Sequence, residues 1–206
     1  MGKIKLTKGE LKRQRDALRQ YARYLPTLQL KKQQLQLEIL QLDNLFAEKR
    51  HLLAKRKEAV LSWSGLLAEA RAPSMKKWLI PREIIVSAKN IAGVDIFIFQ
   101  TAEFETPEYD LFEAPLWFDV AIEVLRHIVS LHEEMKVIEK GTCVLKQELR
   151  ITSQRVNLFE KVKIPEAEEA IRLIKIYIGD QMSNAVGRSK IAKRKIEEAA
   201  MQEVYA

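Results

Sequence analysis

Stop signals are scarce in this sequence. Seven Gly and six Pro are all that punctuate 206 residues. Pro73, Pro81, Pro107 and Pro115 crowd into one region, so the long stretches on either side carry little that ends a helix. Cysteine is scarcer still: Cys143 is the single one, which excludes an intrachain disulfide framework and fits a reducing compartment. No apolar run approaches the roughly 20 residues that cross a bilayer, and the basic amino terminus is not followed by the apolar stretch of a secretory signal. The expectation is a soluble, unsecreted protein. The Gly-rich strings of phosphate-binding loops are missing, so no cofactor is expected. His127 and His132 stand five apart, a spacing that does not bring them to one helix face, and His51 is remote from both; no metal site is expected either.

What is present is a chain with 47% apolar and 31% charged residues, too hydrophobic for disorder and too polar for a membrane protein. Its net charge of +7 is unevenly spread. Lys3, Lys5, Lys8, Lys12, Arg13, Arg15, Arg19 and Arg23 face only Glu10 and Asp16 near the start. Arg188, Lys190, Lys193, Arg194 and Lys195 form a second basic block. Between them lies an acidic stretch from Glu103 to Glu123.

Apolar residues recur every seven positions from Ile4 through Leu11, Leu18, Leu25, Ile39, Phe46, Leu53, Val60 and Leu67, with Lys32 as the one polar intruder. A companion series runs through Tyr21, Leu28, Leu35, Leu42, Lys49, Arg56 and Trp63. Sustained over about nine heptads, this is the seam of a coiled coil. A helix over 7–70 would be roughly 95 Å long and needs a partner. That partner follows the acidic stretch, where Trp117, Val124, Leu131, Ile138, Leu145, Thr152 and Phe159 interleave with Ala121, Ile128, Met135, Thr142, Leu149 and Val156. The fold expected is mainly α, one elongated domain over 1–206: a long antiparallel two-helix coiled coil with a short central β-hairpin. One register sets Leu67 opposite Trp117, Leu25 opposite Phe159 and Lys32 opposite Thr152, and registers seven residues away fit almost as well.

The connector over 71–115 reads differently. Residues 83–91 and 94–100 are rich in β-branched and aromatic types, and Ala92-Gly93 supplies a turn. Helical segments are expected over 116–163 and 166–203, with a break at Ile164-Pro165 and a restart on Glu166, Glu168 and Glu169. Pro26 and Pro165 should fall near one another on the two helices and act as a hinge. Everything beyond about Ile178 projects past the partner as a lone basic helix, which needs an external sleeve.

Several local strings carry a resemblance. Thr7-Lys8-Gly9-Glu10-Leu11, Leu30-Lys31-Lys32-Gln33-Gln34-Leu35, Asn90-Ile91-Ala92-Gly93-Val94 and, above all, Arg155-Val156-Asn157-Leu158-Phe159-Glu160 followed by Ile164-Pro165 resemble, in order along the chain, the D subunit of V-type and archaeal-type rotary ATPases. Phe97 departs from the proline of many members, and 184–187 is less charged than their usual run.

The resemblance implies a non-catalytic central-stalk rotor shaft that couples ATP turnover to proton or sodium transport. It further implies the A and B subunits of the catalytic hexamer, the F subunit and a membrane-ring adaptor as partners, on the cytoplasmic face of the membrane. Arg13, Arg19, Arg23, Arg188, Lys190, Lys193, Arg194 and Lys195 would then line the bore of the hexamer. Two other readings compete: a prefoldin-like coiled-coil chaperone, which would need apolar rather than basic tips, and a basic nucleic-acid-binding coiled coil.

Overall fold

A computed structural model describes residues 5–68, 75–110 and 114–204. The elements, in order, are helix α1 (Lys8–Leu61), a 3-10 turn (Ser64–Ala68), a single helical turn α2 (Lys76–Leu79), strands β1 (Pro81–Ile91) and β2 (Val94–Phe104), helix α3 (Phe118–Leu158), a π turn (Phe159–Lys163) and helix α4 (Ile164–Val204). Contacts divide the chain into two compact units, one of 30–153 and one of 1–29 with 154–206.

The start of α1 is capped as its sequence directs: the Thr7 hydroxyl accepts from the Glu10 N–H at 3.2 Å. Its end comes at Leu61, earlier than the seam suggests. There Ser62 and Ser64 donate their hydroxyls to the carbonyls of Ala59 and Leu61. These local bonds compete with the helix ladder, and the chain tightens into the 3-10 turn. The stretch 69–74, which held the last part of the expected helix, lies outside the described residues.

In the 30–153 unit, α1 and α3 bury Leu35, Ile39, Leu53 and Val60 on one side and Ala121, Ile138, Thr142, Leu145 and Thr152 on the other. All are positions of the two heptad series. At the start of α3 the buried pair is Phe118 and Ile122, and Trp117 is only half-buried. Phe118 packs edge-on against Tyr109 and Trp78, with ring centroids 4.8 and 6.2 Å away. Arg126 closes this corner: its guanidinium lies over Phe104 and donates to the carbonyls of Trp78 and Glu105. Ion pairs tie α1 to α3: Lys31 to Glu148 at 2.9 Å and Asp43 to Lys146 at 3.2 Å flank the seam, and Lys49 to Glu134 at 2.8 Å starts from a seam position.

The hairpin is antiparallel and longer than 83–100, pairing from Ile91↔Val94 out to Pro81↔Phe104 with irregularities after Pro81 and Ile85. Ala92 and Gly93 both have positive φ, 51° and 79°, as a two-residue type I′ loop demands. Asn90 reinforces it, accepting from the Gly93 N–H and donating to the Asp95 carboxylate. Ile91 and Ile96 enter the core beside Leu35, Ile39 and Leu145. The hairpin packs on α3 at Gly141, where a Cβ would only reach ordinary van der Waals contact with Ile96 and Phe97 at 3.9–4.0 Å, so this approach does not demand glycine.

The expected break at Ile164-Pro165 does not occur. The Ile164 N–H reaches back five residues to the Phe159 carbonyl, and the wider turn holds one extra residue just before the proline. That slack relieves the clash between the Pro165 ring and the preceding turn, and helical backbone runs on into α4. The extra residue shifts the buried seam. The series Leu145, Thr152, Phe159 would continue to Glu166 and Leu173, which are exposed; Ala167 and Ile174, one position later, are buried instead.

Candidate partner-binding surface

In the unit of 1–29 and 154–206, burial on α4 ends at Ile174, and Ile178 is half-covered. From Gly179 to Ala199 every residue is exposed. Arg188, Lys190, Lys193, Arg194 and Lys195 all lie on this stretch, interleaved with exposed Met182, Val186, Ile191 and Ile196. Lys193 and Arg194 pair with Glu197 and Glu198 one turn on; exposed pairs of this kind hold a side chain only loosely. Among the described residues, Arg188, Lys190 and Lys195 have no acidic partner.

Arg13, Arg19 and Arg23 are exposed on α1, and only Arg19 approaches a carboxylate, Asp16 at 3.9 Å. No ion pair or hydrogen bond among the described residues joins the two basic groups. At the last buried turns of α4, Glu169 accepts two hydrogen bonds from Arg172. These bonds, and the guanidinium charge behind them, hold the Glu169 carboxyl below the usual carboxylate range and push Arg172 up. Cys143 is exposed on α3.

A second surface escaped the sequence reading. Leu30, Leu37 and Leu40 are exposed along α1. Around them the exposed residues are mostly the uncharged Gln33, Gln34, Gln36, Gln41 and Asn44, with Asp43, which is paired to Lys146, the exception. The signal was available in the Gln-rich run, but heptad counting assigns such positions to a solvated flank. Charge depletion around exposed leucines is the composition of a protein interface.

Among the described residues no group of three His, Cys, Asp or Glu side chains stands close enough to hold a metal ion. No described helix is long and apolar enough to cross a membrane. The features that stand out are long faces for contact: a mainly α protein with a braced hairpin and an uncovered basic helix is built as a binding component of a larger assembly. Residues 10–194 match the model of the family described as the ATP synthase D subunit. Over 193 residues, 94% of this chain and 95% of the relative, the sequence is 47% identical to the V-type ATP synthase D subunit of Borreliella burgdorferi. It is 30% identical over 196 residues to that of Chlamydia trachomatis, 95% of this chain and 97% of the relative. To that of Chlamydia pneumoniae it is 31% identical over 195 residues, 94% of this chain and 93% of the relative. The chain belongs to the ATP synthase D subunit family and is a non-catalytic subunit of a multisubunit rotary ATPase.

Proposed function

We propose that this subunit is the central rotor shaft of a V-type ATP synthase or ATPase, coupling ATP turnover in a hexamer of A and B subunits to rotation of a membrane ring that carries protons or sodium ions. The observation that carries the reading is the uncovered helix from Gly179 onward, where apolar Met182, Val186, Ile191 and Ile196 face water among exposed cations. Burying those residues inside a partner would recover about 25 cal/mol for each Å² removed from water. A surrounding bore is the geometry that covers all sides of one helix at once. Arg13, Arg19, Arg23, Arg188, Lys190, Lys193, Arg194 and Lys195 are then the charges that meet the hexamer. The F subunit is assigned to the charge-poor face of Leu30, Leu37 and Leu40, and a ring adaptor completes the coupling on the cytoplasmic face of the membrane.

Truncation after Ile178 removes no buried residue among those described, so the fold should survive. ATP turnover coupled to ion transport in the reconstituted complex should fall sharply; unchanged coupling would overturn the shaft reading. Co-purification from native membranes tests the partners. Recovery of A, B and F subunits supports the assignment, and strong salt-dependent binding to tRNA without affinity for an AB hexamer counts against it.

A further inference from the structure

Pro26 lies inside α1 and cannot donate to the Ala22 carbonyl one turn back, so the turn from Ala22 to Pro26 is short of a backbone bond. The Thr27 hydroxyl also donates to the Tyr24 carbonyl at 2.8 Å, a contact that bends helices. On the other helix the π turn from Phe159 to Lys163 precedes Pro165, which likewise offers no donor. The two weakened turns meet: Tyr21, the residue before the first, stacks on Phe159, the first residue of the second, with centroids 5.3 Å apart and planes at 27°.

Packing is thin in the same place. Between buried Val156 and Ala167 no residue from Asn157 to Glu166 is buried, and no described residue of α1 before Leu35 is buried either. Pro26 and Pro165 are themselves exposed, so neither ring is there to fill a core. Few buried contacts and missing backbone bonds are what make a segment open locally below the stability of its neighbours.

We propose that the Ala22–Pro26 turn and the Phe159–Lys163 π turn form one compliant joint, two backbone defects coupled through the Tyr21–Phe159 stack. This goes beyond the shaft reading and does not depend on it. The joint opens and closes its helical bonds as a unit, while the helical segments on either side keep theirs.

The test is amide hydrogen exchange on the full chain. Amides of 158–166 should exchange faster than those of both flanks, 142–156 and 167–174. Amides of 22–30 should exchange faster than those of 35–45. Pro26→Ala restores the donor on α1 at an exposed site. It should slow exchange by at least about tenfold in its own turn and measurably across the stack in 158–166. Deletion of Val162 combined with Pro165→Ala converts the π turn to an α turn and should erase the fast segment. Should the deletion variant fail to fold, Pro26→Ala still decides. Protection in 158–166 equal to the flanks overturns the joint, and an effect of Pro26→Ala confined to α1 overturns the coupling.

Discussion

Lys49 of α1 and Glu134 of α3 pair at 2.8 Å, with only 28% and 20% of their side-chain surfaces exposed. Lys49 occupies a position of the heptad seam that an apolar residue normally fills, and its charge is accommodated by reaching an acid on the facing helix. Removing one partner leaves the other half-buried and unpaired. Lys49→Ala should therefore cost about 1–3 kcal/mol in urea unfolding. Lys49→Met with Glu134→Leu should lie close to the unaltered protein, and a double variant as weak as the single would refute this.

The hairpin loop carries an avoidable strain. Ala92 sits at φ 51°, a left-handed conformation that costs an L residue with a Cβ roughly 1 kcal/mol. Ala92→Asn, the residue type I′ turns favour, should raise stability by about 0.5–1 kcal/mol. Gly93→Val at φ 79° should lower it. Thermal unfolding of the two variants gives opposite signs if the loop geometry is right.

Burial separates leucines that look alike in the sequence. Leu145 is fully buried among Leu35, Ile39, Ile91 and Ile96, so Leu145→Ala should cost about 2–5 kcal/mol. Leu37 is 60% exposed, and Leu37→Ala should change stability by no more than about 0.5 kcal/mol. Leu37→Glu should leave the fold intact while weakening retention of the F subunit in co-purification.

Glu169 titrates low in the folded chain because Arg172 binds its carboxylate. Its folded pKa lies below the unfolded one, so the pair contributes above the unfolded value and is lost as pH falls through the folded value. Being exposed, it contributes little to stability. A carboxyl-resolved NMR titration should show the Glu169 midpoint rise in Arg172→Gln, whereas an unmoved midpoint would discount the hydrogen bonds.

Much of this architecture was legible because heptad periodicity reports burial directly: Leu35, Ile39, Leu53, Val60, Ile138, Leu145 and Val156 are all seam positions and all buried. Ala92-Gly93 announced its turn through residue chemistry alone. The continuous helix through Pro165 was not legible, because a proline after a β-branched residue reads as a stop, and only the backbone shows the five-residue hydrogen bond that absorbs it. The early end of α1 was hidden for a related reason. Leu67 keeps the seven-residue count, while Ser62 and Ser64 end the helix by bonds that periodicity does not register. The basic residues of α4 were found by charge, but the apolar face of Leu30, Leu37 and Leu40 needed exposure to be seen.

Each residue of an α-helix turns the chain by about 100°, so the one added in the π turn rotates everything after it. A chimera that joins the first part of this helix to an uninterrupted heptad segment from another coiled coil would inherit that rotation. With the splice placed after Lys163, so that the extra residue is kept, a donor stripe continuing the count of Leu145, Thr152 and Phe159 would fall on the exposed positions 166 and 173 and face water. Segments exchanged between relatives must therefore be cut on the same side of Phe159–Lys163, or carry the turn with them.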